Sequence, residues 1–177
     1  MQDATETLTA ALRYAVLAPS SHNSQPWSFR LNGNEVELWA DRTRSLPVVD
    51  PHDRELLISC GAALHHLRVA LAAAGTDIEV ERLPEPVLPD FLARVTVRGV
   101  AIPDPAAIRL RDAMARRHTT RRPFDRRSAP LNLIHRLQGE PRAGRRAVGD
   151  RRPRSRPAPA PDRARRPAAG RQSTAAS

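Results

Sequence analysis

The chain has 177 residues, a length that suits one domain with a hydrophobic core. Its formal net charge is +10, but residues 139–177 supply +8 of it through 11 Arg against three acidic residues. The other 138 residues are nearly balanced, so the whole-chain charge is no argument for a nucleic-acid-binding domain. A single cysteine excludes an intrachain disulfide and is typical of a reducing compartment.

The N-terminus has neither the basic start nor the apolar run of a signal peptide. No stretch approaches the roughly 20 apolar residues that predict a membrane span. We therefore expect a cytoplasmic protein with no membrane partner.

Hydrophobic periodicity predicts an α+β protein, in which an antiparallel or mixed sheet is flanked by helices. Asn32-Gly33-Asn34 is a strong hairpin signal, Asp50-Pro51 and Asp104-Pro105 are helix starts, and Gly75 is a helix C-cap. In chain order, the predicted elements are a helix over 3–16, strands over 28–31 and 35–40, a helix over 50–74, strands over 77–83 and 91–98, a helix over 104–116, and the start of another over 130–138.

Several residues that invite a functional assignment are better explained by structure. Cys60 lies on the apolar stripe of its helix and is predicted to be a small buried hydrophobe. His65 and His66 point in different directions and have no carboxylate or thiol at ligand spacing, so no metal site is predicted. Trp27 and Trp39 are interpreted as core or edge anchors.

The first motif is the polar loop Ala18–Trp27, with the sequence APSSHNSQPW, placed between a predicted helix and a predicted strand. Its hydroxyls, amide and free backbone N–H groups are typical of a binding loop on a rigid scaffold. Ser, Asn and Pro are also common turn residues, so a purely structural turn is the alternative.

The second motif is the arginine-rich run 116–125, RRHTTRRPFD, which follows a predicted helix. A guanidinium donates two parallel hydrogen bonds to a phosphate, and a Thr hydroxyl with turn N–H groups would complete an anion site. The alternative is a solvated basic turn.

Both motifs resemble those of nitroreductase-type flavoproteins. PSSHNSQPW is similar to the loop by which that family contacts the isoalloxazine ring of FMN, which implies ring contacts for Pro19, Ser20, Ser21 and Asn23. The arginine run resembles the family's R-x-[ST]-x-[RK] segment. The resemblance implies that the FMN phosphate and ribityl chain are held by Arg117, Thr119 and Arg121, and that Phe124 is a packing residue.

The order of the two motifs is the reverse of the ordinary family and resembles the Acg-type branch, in which two nitroreductase-like halves are fused. The resemblance covers about residues 5–138 and implies a nitroreductase-like fold with an incomplete second half. After Gly139 all periodicity stops. We predict a flavin-binding domain over 1–138, and we interpret 139–177 as a disordered, frameshifted or otherwise degenerate tail. A functional basic arm is the alternative.

The resemblance implies electron transfer from NAD(P)H through FMN to a nitroaromatic, a quinone or a similar small acceptor; no catalytic side chain is identified. A homodimer would be one way to complete the site. Flavin storage or sequestration and an inactive truncated product remain open. So does an Arg-rich binder of nucleic acid or an acidic partner, although 3% aromatic residues and no recognisable module argue against nucleic acid.

Overall fold

The computed structural model describes residues 2–123, 128–135 and 137–138, with side chains from residue 4 onward. The helices are α1 (Gln2–Ala15), α2 (Arg54–Ala73) and α3 (Pro105–Met114), and the strands are β1 (Trp27–Asn32), β2 (Glu35–Ala40), β3 (Thr76–Arg82) and β4 (Phe91–Val100). Short 3-10 turns lie at Ser21–Asn23 and Arg42–Arg44. Residues 131–135 are helical as well. Phe124 and residues 139–177, on which two of the predictions fall, lie outside the described residues.

The four strands form one antiparallel sheet in the order β1-β2-β4-β3. The β1–β2 hairpin turns at Gly33, whose φ of +59° is the left-handed conformation that such turns require. With helices packed on the sheet, the predicted α+β class is confirmed.

The core lies between one face of the sheet and the helices α1 and α2. Leu8 of α1 and Leu67 and Leu71 of α2 meet Val36 and Val95 of the sheet, and all five side chains are buried. A second cluster holds Trp27 and Cys60, together with Leu38, Leu56, Ala63 and Ala93. The predicted burial of Cys60 and Trp27 is confirmed.

Trp39 lies on the opposite face of the sheet, where its ring stacks on Phe91 with 4.6 Å between centroids. A register shift after Leu38 brings these two rings into a pair, and Arg30 lies 4.4 Å above the indole. Trp39 therefore packs on the outer face of an inner strand, rather than in the core or at the sheet edge.

The start of α2 differs from the prediction. Asp50 was expected to be its N-cap, but the helix begins at Arg54, and Asp53, with φ +52°, takes the position before it. The buried Asp50 carboxylate instead reaches forward and accepts hydrogen bonds from the N–H groups of Arg54 and Leu56, each at 2.9 Å. One extra turn of chain thus separates the capping side chain from the helix that it caps.

At the other end of α2, Gly75 has φ +69°, and its carbonyl accepts from Ala101 N–H at 2.6 Å. This C-cap glycine was predicted correctly. Asp104 accepts from Ala106 N–H at the start of α3, also as predicted. Because Asp104 N–H donates to Ala72 at 3.1 Å, α3 starts beside the end of α2 and packs back along it.

The sequence analysis found no stretch of membrane-spanning length, yet α2 is long and apolar enough by length and composition. In the fold, 61% of the apolar stretch is buried against the rest of the protein. This is the packing of a core helix, and core helices commonly meet the same criterion.

Candidate functional site

The polar loop connects α1 to β1 through a tight and conformationally unusual path. Ser21–Asn23 form a 3-10 turn in which Asn23 N–H donates to the Ser20 carbonyl at 3.1 Å. His22, Asn23 and Gln25 all have φ between +48° and +57°, a region that Asn tolerates and most other residues disfavour. Backbone strain of this kind persists only where surrounding contacts hold it.

Those contacts come mainly from α2. Ser21 N–H donates to Ser59 Oγ at 3.2 Å, and the Ser21 hydroxyl donates to the Glu55 carboxylate. Further along, the Cys60 thiol donates to the Pro26 carbonyl at 3.1 Å. Burial raises the pKa of Cys60 to about 11, so the thiol stays protonated and acts as a structural donor.

A pocket of about 300 Å³ lies between the loop and α2. The loop contributes three of the predicted ring-contacting residues, Pro19, Ser20 and Ser21, and α2 contributes Glu55, Ile58, Ser59 and Ala62. Asn23, the fourth predicted contact, lies outside this lining, and its Oδ1 is 3.5 Å from Gln25 Nε2.

The four α2 residues were not predicted. Their spacing could have indicated that they share a surface, because residues 55, 58, 59 and 62 fall on one face of the helix, beside the apolar stripe of Leu56 and Cys60.

The arginine run begins immediately after α3. Arg117 N–H donates to the Ala113 carbonyl at 2.9 Å, which continues the helical turn, and Arg117 Nη1 donates to Thr119 Oγ1 at 3.3 Å. Arg121 follows on the exposed surface. None of these three predicted phosphate contacts belongs to the pocket lining.

Arg117 nevertheless lies near α2, at His66. Burial lowers the pKa of His66, the positive charge of Arg117 lowers it further, and the imidazole Nδ1 lies 3.2 Å from the Tyr14 carbonyl. His66 stands seven residues after Ser59, which is about two helical turns or roughly 10 Å along the same face. The polar loop is thus bonded to α2 at Ser59, and the charge of Arg117 acts on α2 about two turns further along.

Within the described ranges, no group of three or more His, Cys, Asp or Glu could hold a metal ion. His65 and His66 form no such group, and the pKa of His65 is also lowered, mainly by burial.

Comparison with known proteins shows which proteins this chain is similar to. No family model matches it. It is 43% identical over 119 residues to "Putative NAD(P)H nitroreductase Rv3131" of Mycobacterium tuberculosis, and 41% identical over 120 residues to "Putative NAD(P)H nitroreductase acg" of the same organism. These matches cover 67% and 68% of this chain but 34% and 36% of the relatives. A further relative, "Probable NAD(P)H nitroreductase PigM" of a Serratia strain, is 37% identical over 78 residues, which are 42% of this chain and 21% of that protein.

These identities confirm the resemblance to nitroreductase-like proteins of the Acg type that the two motifs predict. The matched part of the chain spans about a third of the length of the two Mycobacterium tuberculosis relatives and about a fifth of the Serratia relative. Among solved structures, a nitroreductase family protein from Streptococcus pneumoniae TIGR4 aligns with 73% of this chain and 87% of its own, at 17% identity and a TM-score of 0.39.

Proposed function

We propose that this chain forms the FMN-binding face of a nitroreductase-type oxidoreductase. The ring would lie against Pro19, Ser20 and Ser21, and the phosphate would be held by Arg117, Thr119 and Arg121. The observation that carries the proposal is that both motifs are positioned by α2. Ser21 is bonded to Ser59, and the arginine run continues from α3, which packs along α2 and places the charge of Arg117 near His66. A spacing of about 10 Å suits a ligand with a ring at one end and a phosphate at the other.

The chemistry of the residues fits FMN in this orientation. Pro19, Ile58 and Ala62 offer apolar surface to a flat ring, as small-molecule pockets usually do. The negative charge of the Glu55 carboxylate repels a phosphate from the pocket. The positive charges of the arginine run attract the phosphate to their own position further along α2. Arginine forks suit phosphate oxygens geometrically as well as electrostatically.

FMN, when bound, supplies hydride and electron transfer, here from NAD(P)H to a nitroaromatic, quinone or similar acceptor. The chain's own residues bind and orient it. The Ser20 and Ser21 side chains contact one side of the pocket, α2 closes the other, and Asn23 at the loop tip is available to a polar edge of the ring. The arginines fix the phosphate and thereby the position of the ring along α2.

A cover for the open side of the pocket is also needed. Ile58, at the pocket wall, is 69% exposed, and the neighbouring Leu57 is 43% exposed. We propose that a second copy of the chain supplies this cover. Analytical ultracentrifugation with and without FMN tests this, and an Ile58→Glu variant should remain monomeric if the proposal holds.

The function itself is tested by adding FMN to the purified chain and following flavin fluorescence and absorbance under anaerobic conditions. Saturable quenching, bleaching by NADH or NADPH, and recovery on addition of a nitroaromatic are expected. Quenching without bleaching would favour flavin sequestration, and no quenching would contradict the proposal.

A further inference from the structure

Ser21 presents only acceptor atoms to a ligand in the pocket. Its hydroxyl hydrogen is directed to the Glu55 carboxylate, and its backbone N–H is bound to Ser59 Oγ at 3.2 Å. Ser59 in turn donates its own hydroxyl to the Glu55 carbonyl at 2.7 Å. Both donors of Ser21 are thus committed to the first two turns of α2, and lone pairs remain.

Ser20 has the opposite character. Its Oγ accepts from Gln25 N–H at 3.0 Å, so its hydroxyl hydrogen is available to a ligand. Glu55 has a second carboxylate oxygen with no hydrogen-bond or ion-pair partner among the described residues. The pocket therefore offers a ligand the charged acceptor of Glu55, the neutral acceptor of Ser21 and the hydroxyl donor of Ser20.

We infer that Glu55 is a specificity-determining residue that selects a ring carrying an N–H group next to carbonyl oxygens. The inference rests on the proposed function. In the oxidised isoalloxazine ring the single N–H is N3–H, and it lies between two carbonyls. Glu55 accepts from N3–H, and the Ser20 hydroxyl donates to a neighbouring carbonyl. Asn23, whose amide is outside the pocket lining, does not make this contact.

Glu55 is exposed in the first turn of α2, so its replacement leaves the core intact. Ser21 provides the matched control, because Ser21→Ala removes the Ser21–Glu55 bond while keeping the carboxylate. A purely structural role for Glu55 would make the two variants equivalent.

The experiment titrates the full chain with FMN and with N3-methyl-FMN, which lacks the donor, and follows fluorescence quenching. For the wild type we expect N3-methylation to weaken binding by about tenfold or more, the range for a hydrogen bond to a charged group. Glu55→Ala should bind both ligands alike, and Ser21→Ala should keep the preference for FMN. A thermal midpoint for each variant shows that it is folded.

Equal wild-type affinity for the two flavins, or a preference that survives in Glu55→Ala, would overturn this inference and leave the proposed function standing. A wild-type protein that binds neither flavin would overturn the proposed function as well.

Discussion

Arg117 lies close enough to His66 for its charge to lower the pKa of that imidazole, although 51 positions separate them in the chain. This proximity arises because α3 packs back along α2 and ends near Val69 and Tyr14, so that the chain leaves α3 beside the middle of α2. The arginine motif and the polar loop thereby come to share a helix.

The first prediction is that Arg117 has a measurable effect on the pKa of His66. Arg117→Ala should raise the pKa of His66, which is depressed first by burial and then by this arginine, and Arg121→Ala should leave it nearly unchanged. Phosphate or FMN bound at Arg117 should also raise it, by neutralising the charge. Histidine C–H resonances followed by NMR across the pH range would measure these shifts. A His66 titration that is indifferent to Arg117 would remove the proposed position of the phosphate site.

The same depressed pKa predicts a pH dependence of stability. Unfolded His66 titrates near 6.5, above its pKa in the folded protein, so the unfolded state binds more protons as pH falls below about 6.5. The contribution of His66 to stability is therefore complete above that pH and is lost as pH falls through the folded-state pKa. Urea midpoints of the wild type and of His66→Gln, compared between neutral and mildly acidic pH, should converge on acidification. Parallel curves would show that His66 is not the responsible group.

Asp50 should be more important to α2 than its neighbour Asp53. Asp50→Asn removes the charge from one buried and one partly buried hydrogen bond to helix N–H groups and should lower the free energy of unfolding by about 1.5–3 kcal/mol. Asp53→Asn is the matched control, because Asp53 makes no side-chain capping bond and its ion pair within the described residues is with the half-exposed Arg42, worth at most about 1 kcal/mol. Chemical denaturation of both variants checks the ranking, and equal losses would contradict it.

Gly33 and Gly75 both have a positive φ, yet their substitution by Ala should lower the free energy of unfolding by different amounts. A Cβ on Gly75 would lie 2.7 Å from the Ala101 carbonyl oxygen and 2.9 Å from the Pro103 ring, whereas one on Gly33 would meet nothing within 4 Å. Gly33→Ala should cost about 1–2 kcal/mol, from the left-handed conformation alone. Gly75→Ala should cost more, since the contact adds to that strain. Similar unfolding midpoints for the two variants would count against this packing.

Local signals in the sequence were sufficient for much of the fold. Asn32-Gly33-Asn34 specified the hairpin, and Gly75 specified the end of α2, because each of these residues controls its own backbone conformation. The start of α2 was misplaced because Asp50-Pro51 carries the same signal whether its carboxylate caps the next residue or one a turn later. The pairing of Trp39 with Phe91 depends on a register shift between strands far apart in sequence.

The candidate site likewise has parts that the local sequence reveals and parts that it does not. The loop and the arginine run could be singled out from sequence because each is one continuous segment and resembles a known family motif. Glu55 could not be identified from sequence, because a carboxylate in the first turn of a helix is common. Its hydrogen bond with Ser21 also joins residues that are 34 positions apart in the chain.

Residues 139–177 are predicted to be dispensable for folding, since their only sizeable aliphatic residue is Val148. Ending the chain after Gln138 should leave the unfolding midpoint nearly unchanged, as scanning calorimetry would show. A marked loss of stability would place the domain boundary further along the chain.

The most direct test of a single site formed by both motifs compares FMN with riboflavin, which has the same ring but no phosphate. The wild type should bind FMN more tightly, and Arg117→Ala/Arg121→Ala should bind the two flavins alike, with riboflavin affinity unchanged. Each charge-assisted bond is worth about 1.5–3 kcal/mol, so the lost preference should be tenfold or more. The double variant Arg116→Ala/Arg122→Ala makes the same change of charge within the run but leaves Arg117, Thr119 and Arg121 in place, so it should retain the preference. Equal wild-type affinities for FMN and riboflavin, or a preference that survives without Arg117 and Arg121, would contradict the account.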